Sequence, residues 1–204
     1  MIKIIGICGF IGSGKDTVAN IIKGLYGDRV KHISFAGILK DIVSIVFGWD
    51  RALLEGDTKE SRKWREEVDE WWSARLNIPG LTPRYVLQQW GTDVMRNHFH
   101  TDIWIAAVER KMMGFSPDSI VVITDCRFPN EIELINKMCG NIVWVQRGDM
   151  PHWYNEYIVK GDTPNGVHVS EYVWVNSVFN RIIKNDGGLD DLQQKVIEMM
   201  DEIA

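Results

Sequence analysis

The chain has 204 residues, of which 45% are hydrophobic and 25% charged, a composition typical of one globular domain with a full core. Its formal net charge of −5 argues against a broad, non-specific nucleic-acid surface, and no apolar run is long enough to cross a membrane. The three cysteines form no C-x-x-C pair, so we expect reduced, mostly buried thiols and a cytoplasmic location.

An apolar run at the start of the chain predicts a buried parallel strand that ends in a glycine-rich turn. Residues 2–8 are rich in β-branched side chains, and helical periodicity begins at about Lys15. The turn between them, GFIGSGK, fits the phosphate-loop pattern G-x-x-x-x-G-K. In such a loop the backbone N–H groups and the helix N-terminus bind phosphates, and Lys15 reaches the outer ones.

One position of this loop departs from the pattern. Asp16 stands where a serine or threonine normally binds magnesium, and Thr17 offers a hydroxyl one residue later. The Asp16 carboxylate is able to bind Mg²⁺ directly or through a water. The pattern alone therefore leaves open which of the two residues serves the metal.

The next part of the chain predicts a short strand, a helix and then a helical insertion. Residues 32–35 have strand character, and residues 38–47 form a helix that Gly48 ends. Residues from about 50 to 115 are dense in charge and tryptophan and are interpreted as an insertion that binds substrate. Within it, Arg62 and Arg65 lie in a mixed-charge helix whose charged side chains are expected to face solvent.

Inside the insertion, the stretch LQQWGTDVMR concentrates groups suited to recognise a nucleotide. Thr82 and Pro83 predict the start of a helix, and Asp102 predicts another cap. A glycine in the middle of a helical pattern indicates a break where backbone approaches a ligand. Aromatic rings stack on bases and amides read base edges, although a single tryptophan is first of all a core residue. The residues concerned are Arg84, Gln88, Trp90, Gly91, Thr92, Asp93, Arg96 and, on the next helix, Trp104.

The sequence SIVVITD is the clearest buried strand of the chain and delivers Asp125 at its carboxyl end. That edge of an open α/β sheet is where ligands bind. Asp125 is suited to order a magnesium-bound water or to accept a proton, and Arg127 to clamp a phosphate. Taken alone, a capping aspartate and a surface arginine would be the simpler interpretation; together with the glycine loop, a functional role is favoured.

The remainder of the chain continues the alternation of strands and helices. Pro129 opens a helix, residues 141–147 form a strand, and a last strand and helix follow from about residue 180. Residues 147–171 are too long for an ordinary connection and are interpreted as a lid, in which Arg147 is the candidate for stabilising transferring charge. The whole pattern predicts a three-layer α/β/α fold with a parallel sheet.

Taken together, the stretches GSGKDT, FAGILKDI, LQQWGTDVMR, ITDCRFPNE, HVSE and IIKND resemble the bacteriophage-type deoxynucleoside monophosphate kinases, P-loop kinases with an adenylate-kinase-like fold. The resemblance implies transfer of the γ-phosphate of ATP to a deoxynucleoside monophosphate with Mg²⁺. It implies that the loop holds ATP and that its Lys-Asp-Thr order is a family feature. The implied ATP-binding residues are Gly12, Ser13, Gly14, Lys15, Asp16 and Thr17. The implied monophosphate-site residues are Lys40, Arg84, Gly91, Thr92, Trp104, Asp125 and Arg127.

Three alternatives remain open at this point. The first is another small-molecule P-loop kinase, such as a dephospho-coenzyme A kinase type, against which WGTD argues. The second is a kinase of a modified base within DNA, which the negative net charge disfavours. The third is a nucleotide-dependent regulatory module without transfer chemistry, against which Asp125 and Arg127 argue. The tryptophan excess also suggests an interface, as in a homodimer.

Overall fold

A five-stranded parallel sheet organises the fold in the computed structural model, which describes residues 2–203. The strand order is β2-β3-β1-β4-β5. The strands are β1 Lys3–Cys8, β2 Val30–Ile33, β3 Ile120–Ile123, β4 Asn141–Gln146 and β5 Arg181–Lys184. The predicted parallel α/β class is confirmed.

The second strand lies two residues earlier than the sequence suggested. It pairs with β3 from Val30 opposite Ile120 to Ile33 opposite Ile123, so Ser34 and Phe35 lie beyond the end of the partner strand. The prediction of residues 32–35 was therefore wrong at both ends, because the length of β3 sets the length of the ladder.

Nine α-helices accompany the strands within residues 2–203. They are α1 Lys15–Tyr26, α2 Gly37–Phe47, α3 Lys59–Glu66, α4 Glu70–Leu76, α5 Pro83–Gln88, α6 Ile103–Met112, α7 Pro129–Lys137, α8 Tyr154–Lys160 and α9 Leu189–Ile203. None of these described helices is long and apolar enough to cross a bilayer.

The chain divides into two compact units. Unit 1 comprises residues 1–34 and 111–204 and contains the whole sheet, while unit 2 comprises residues 35–110 and is helical. The helix α2 belongs to unit 2, so that unit begins earlier than the predicted insertion.

Alternate residues of β1 face opposite layers of unit 1. Ile5 and Ile7 are fully buried in a core shared with α1 and α9. The other face packs on α7, where a Cβ at Gly6 would overlap the Cδ1 atom of Ile135. Because the strands are covered on both faces, they read as continuous apolar runs in the sequence.

Unit 2 is held together by aromatic rings around Phe47. That ring stacks on Trp49 at 4.5 Å and contacts Trp72 at 4.8 Å and Trp90 at 5.4 Å. The Asp69 carboxylate joins this cluster to α4, because it accepts from Trp49 Nε1 at 2.7 Å and from the Trp72 backbone N–H at 3.0 Å. A single carboxylate thus caps a helix and satisfies a buried indole.

Helix α5 begins as predicted, with the Thr82 hydroxyl accepting from the Tyr85 N–H at 3.1 Å and Pro83 in the first turn. It then continues as a π-helical segment, Gln89–Phe99, which contains WGTD. The wider turns re-aim side chains and are frequent at functional sites. The sequence predicted a break in the helix at Gly91. The structure has a π-helical segment there instead.

We expect Asp69→Ala to destabilise the protein more than Thr58→Ala, which removes a helix cap without an indole partner. Loss of a cap costs about 1 kcal/mol. The unpaired Trp49 N–H adds about 1–3 kcal/mol. Urea unfolding followed by circular dichroism measures both variants. Equal losses would show that the Trp49 hydrogen bond contributes nothing to the stability of unit 2.

Candidate active site

The glycine loop after β1 folds around the ammonium group of Lys15. Gly9, Gly12 and Gly14 all have positive φ angles, of 155°, 78° and 100°. Lys15 Nζ donates to the Gly9 carbonyl at 2.8 Å and to the Phe10 carbonyl at 2.9 Å. The loop therefore has the left-handed backbone turns that a phosphate cradle requires, and its lysine is held within it.

Two features of this loop fit a bound polyphosphate. Ser13 Oγ is buried and has no hydrogen-bond partner among the described residues. A Cβ at Gly9 would lie 2.5 Å from that oxygen and 2.6 Å from the Val145 carbonyl, so only glycine leaves the space open. Buried polar groups are normally paired, and an unpaired one inside a glycine cradle indicates a ligand that carries acceptors.

The environment of Lys15 lowers its pKa to about 8. Burial is the main cause and the positive charge of Arg127 the second, while Asp16 and Glu171 act in the opposite direction. Lys15 therefore changes charge close to neutral pH unless an anion binds beside it.

The two candidate magnesium ligands lie in the first turn of α1. Asp16 is exposed and Thr17 is half-buried. The described residues contain no group of three or more histidine, cysteine or acidic side chains placed to hold a metal. Asp16 and Thr17 offer one or two oxygen donors. This suits Mg²⁺, which takes one or two protein ligands and otherwise binds waters and substrate phosphates.

The carboxyl end of β3 presents Asp125 and Arg127 at the same sheet edge as the loop. Both are half-buried. Arg127 Nη1 forms an ion pair with Glu171 Oε1 at 2.6 Å. The buried Glu131 carboxylate fixes the turn below them, since it accepts from the Arg127 N–H at 2.7 Å and the Phe128 N–H at 3.1 Å.

Cys8 and Cys126 are also at this edge, and both are buried as predicted, whereas Cys139 is exposed. Burial raises the pKa of the Cys126 thiol well above its usual value. Cys126 is therefore a packing group of the sheet rather than a nucleophile.

Arg147 directly follows β4 and is exposed at the same edge. The segment after it contains α8 and a short 3₁₀ helix, Val169–Glu171, where the sequence showed no clear periodicity. Its rings pack on the phosphate loop: the Phe10 ring lies 5.7 Å from Trp153 and 6.2 Å from Tyr154. The candidate lid and the loop thus share one aromatic cluster in unit 1.

In unit 2, WGTD and Trp104 are tied together. The Trp104 indole donates to the Gly91 carbonyl at 2.9 Å and is only 4% exposed. A Cβ at Gly91 would lie 2.8 Å from Leu39 Cδ2, so a larger residue would force the Leu39 side chain to move. Gln88 and Thr92 are half-buried on the same stretch. The geometry gives Trp104 the role of fixing the Gly91 backbone.

Two predicted phosphate ligands of unit 2 are ion-paired. Lys40 Nζ contacts Glu55 Oε2 at 2.6 Å, and Arg84 Nη1 contacts Glu66 Oε1 at 3.2 Å. In the free protein each of these cations is therefore paired with a carboxylate. A bound phosphate would compete with that carboxylate for the cation.

Arg65 differs from the solvated arginine that the sequence suggested. Its Nε is buried without a hydrogen-bond partner among the described residues, and its guanidinium fills the space where a Cβ on Gly56 would lie. Burial lowers the pKa of Arg65, and the neighbouring positive charge of Arg84 lowers it further. Two adjacent arginines, one with an unpaired buried nitrogen, are suited to bind an anion.

Sequence reasoning assigned no role to Arg65, Glu171 or Asn185. The side chain of Asn185 donates to the Ser13 carbonyl at 2.8 Å. Its position directly after a strand, at the edge that carries Asp125, and its place in the stretch IIKND were the available signals. Nothing in the charged run around Arg65 distinguishes it from Arg62.

The fold resembles solved P-loop kinases. A dephospho-CoA kinase from Campylobacter jejuni superposes with a TM-score of 0.53 at 15% identity, covering 99% of this chain and 97% of that one. At this identity the likeness establishes the α/β fold alone.

Two viral proteins are similar in sequence. A putative deoxynucleotide monophosphate kinase from Acanthamoeba polyphaga mimivirus is 26% identical over 98% of this chain and 97% of its own length. The deoxynucleoside-5'-monophosphate kinase of Escherichia phage T5 is 28% identical over 67% of this chain and 73% of its own. The sequence model of the deoxynucleotide monophosphate kinase family matches residues 76–196, more than half of the chain. This chain belongs to the deoxynucleotide monophosphate kinase family.

Proposed function

We propose that this nucleotide kinase transfers the γ-phosphate of ATP to a deoxynucleoside monophosphate, giving ADP and the deoxynucleoside diphosphate. The observation that carries the donor assignment is the glycine cradle around Lys15, with the unpaired Ser13 hydroxyl inside it. Family membership supports the acceptor class. In a virus the reaction would supply precursors for DNA, and the phage T5 relative supports such a setting.

In the donor site, the loop amides and Lys15 bind the phosphates of ATP. Gly12, Gly14 and the α1 N-terminus direct N–H groups toward anionic oxygens. Asp16 or Thr17 would hold Mg²⁺, which when bound supplies positive charge to the outer phosphates. The acidic Asp16 and the anionic phosphates both favour a charged Lys15 once ATP is present.

In the transfer step, the bond between the γ-phosphorus and the bridging oxygen breaks as a bond to an acceptor phosphate oxygen forms. Catalysis of this step is mostly positioning and stabilisation of charge on the transferring group. We assign Asp125 to orient the acceptor or a water, and Arg127 and Arg147 to neutralise the phosphoryl oxygens. In the free protein Arg127 is ion-paired with Glu171.

For the acceptor, we propose Lys40, Arg84, Gln88, Gly91, Thr92 and Trp104 as binding residues, with Asp125 and Arg127. The Gly91 backbone, held by Trp104, and the half-buried Gln88 and Thr92 offer polar groups to a base or sugar. We add Arg65, because its guanidinium next to Arg84 has a buried nitrogen without a partner among the described residues. Arg65 and Arg84 together would bind the acceptor phosphate.

We expect ATP turnover by the purified protein to require a deoxynucleoside monophosphate. Coupled ADP release is measured with each of the common deoxynucleoside monophosphates, several modified-base analogues, dephospho-CoA and an oligonucleotide. Stimulation by a monophosphate alone supports the proposal. Turnover only with dephospho-CoA or with DNA would replace it by one of the other kinase types.

Asp125→Asn is the control for chemistry in this assay. We expect it to retain ATP binding and to lose most of kcat, because the amide keeps the shape of the carboxylate but not its charge. Unchanged kcat would remove Asp125 from the mechanism while leaving the acceptor result intact.

We expect ATP affinity to depend on pH through Lys15. Free Lys15 has a pKa of about 8, and phosphates in the complex raise it, so binding above pH 8 takes up a proton. Affinity should be constant below that pH and fall about tenfold per pH unit above it. Calorimetric titrations in buffers of different ionisation enthalpy measure both the affinity and the proton uptake.

Lys15→Arg is the matched control, since arginine stays charged throughout this range. We expect weaker ATP binding by this variant with no slope between pH 7 and about 9.5. The same slope in both proteins would mean that another group titrates.

We expect Arg65→Ala to raise KM for the monophosphate by about 10–100-fold, because a charge-assisted hydrogen bond contributes about 1.5–3 kcal/mol. KM for ATP should change less than twofold. Arg62→Ala is the matched control: Arg62 is exposed on the same helix, and its Nη2 donates to the Asp57 carbonyl at 2.8 Å. Equal effects of the two variants on KM would contradict a phosphate site at Arg65.

A further inference from the structure

A buried asparagine connects the end of β5 to the phosphate loop. Asn185 is 7% exposed, and its side-chain Nδ2 donates to the Ser13 carbonyl at 2.8 Å. Its own backbone N–H donates to the Gln146 carbonyl at 2.7 Å, which extends the β4–β5 ladder by one residue. The amide that contacts the loop is therefore fixed to the rigid sheet.

The contact determines which way one peptide group of the loop points. The Ser13–Gly14 peptide is trans, as are all peptide bonds of the described chain, so its C=O and N–H point in opposite directions. Because the Ser13 carbonyl points at Asn185, the Gly14 N–H points away from it. No group within residues 2–203 accepts a hydrogen bond from that N–H. A backbone donor left unpaired in this way is available for an anion.

Gly14 and Asn185 constrain each other. Gly14 has φ = 100°, and a Cβ on it would overlap Asn185 Nδ2. A side chain at position 14 is thus excluded by strain and by the asparagine together. Glycine, however, rotates its peptide groups easily, so the orientation of the Ser13–Gly14 peptide needs an external support.

We propose that Asn185 is a positioning residue of the kinase reaction: it holds the Ser13–Gly14 peptide so that the Gly14 N–H faces the donor phosphates. The inference rests on the proposed donor site. If the peptide rotated, the Ser13 carbonyl would face the phosphates in place of the N–H, and an attraction would become a repulsion between oxygens. Asn185 needs no contact with the nucleotide to have this effect.

The chain offers a matched control at the other end of the same strand. Asn180 precedes β5 as Asn185 follows it, and its Oδ1 accepts from the Ile142 N–H at 2.7 Å. Its backbone N–H donates to the Ile142 carbonyl at 2.8 Å. Asn180→Ala therefore removes a comparable side-chain hydrogen bond from the sheet, at the edge opposite to the loop.

The experiment compares Asn185→Ala, Asn185→Asp and Asn180→Ala with the wild-type protein. Calorimetry measures the Kd of ATP and of inorganic tripolyphosphate, both with Mg²⁺ and without an acceptor, and thermal unfolding measures stability. We expect Asn185→Ala to weaken both ligands about tenfold or more, as the loss of an oriented charge-assisted donor does. Asn180→Ala should leave both Kd values within twofold.

Asn185→Asp supplies a readout that a structural role would not change. The ionised carboxylate offers no donor to the Ser13 carbonyl and repels it, whereas the protonated form donates again. Burial raises the pKa of such a carboxyl. We therefore expect the ratio of variant to wild-type Kd to fall as the pH is lowered from 8 to about 5.5, while the ratio for Asn185→Ala stays constant.

Several outcomes would overturn the proposal. One is an Asn185→Ala variant that binds both ligands within twofold of the wild-type protein. Another is a variant that loses ATP affinity but not tripolyphosphate affinity, which would make Asn185 a base contact. A third is a pH-independent ratio for Asn185→Asp. Because tripolyphosphate carries no base, a different preferred nucleotide would revise the proposed donor and still leave the role of Asn185 decided.

Discussion

The burial of a lysine inside a glycine loop is the constraint on which the donor site depends. The Lys15 ammonium has lost much of its water, which lowers its pKa, and two carbonyls of its own loop replace part of that hydration. A loop that turns its carbonyls toward the lysine and keeps its N–H groups for phosphate needs left-handed residues and a support behind it. The glycines supply the left-handed residues. Asn185 and the ring contacts of Phe10 support the loop.

Three other candidate phosphate ligands are held by carboxylates rather than by carbonyls. Arg127 pairs with Glu171, Lys40 with Glu55 and Arg84 with Glu66. Each pair keeps a cation neutralised and oriented within the protein. Where a phosphate displaces the carboxylate, the binding free energy is the difference between two ion pairs.

Much of this architecture could be predicted from the sequence, because it rests on local patterns. Apolar β-branched runs gave the parallel strands, Thr82 and Pro83 gave the start of α5, and the glycine spacing gave the loop. The bounds of β2 could not be predicted, since its pairing with β3 sets them. The roles of Glu171 and Arg65 were missed for a related reason: an ion pair or an unpaired nitrogen depends on residues distant in sequence.

Arg65 shows how an exception to pairing carries functional information. Three cations of the candidate acceptor site have a carboxylate partner, yet Arg65 has a buried Nε without a hydrogen-bond partner among the described residues and lies beside a second arginine. Such a group costs free energy in the free protein, and folding alone gives no reason to keep it. An anion that supplies the missing acceptor would recover this cost. In a chain with a net charge of −5, a concentration of arginine charge at one place is therefore evidence of an anionic ligand.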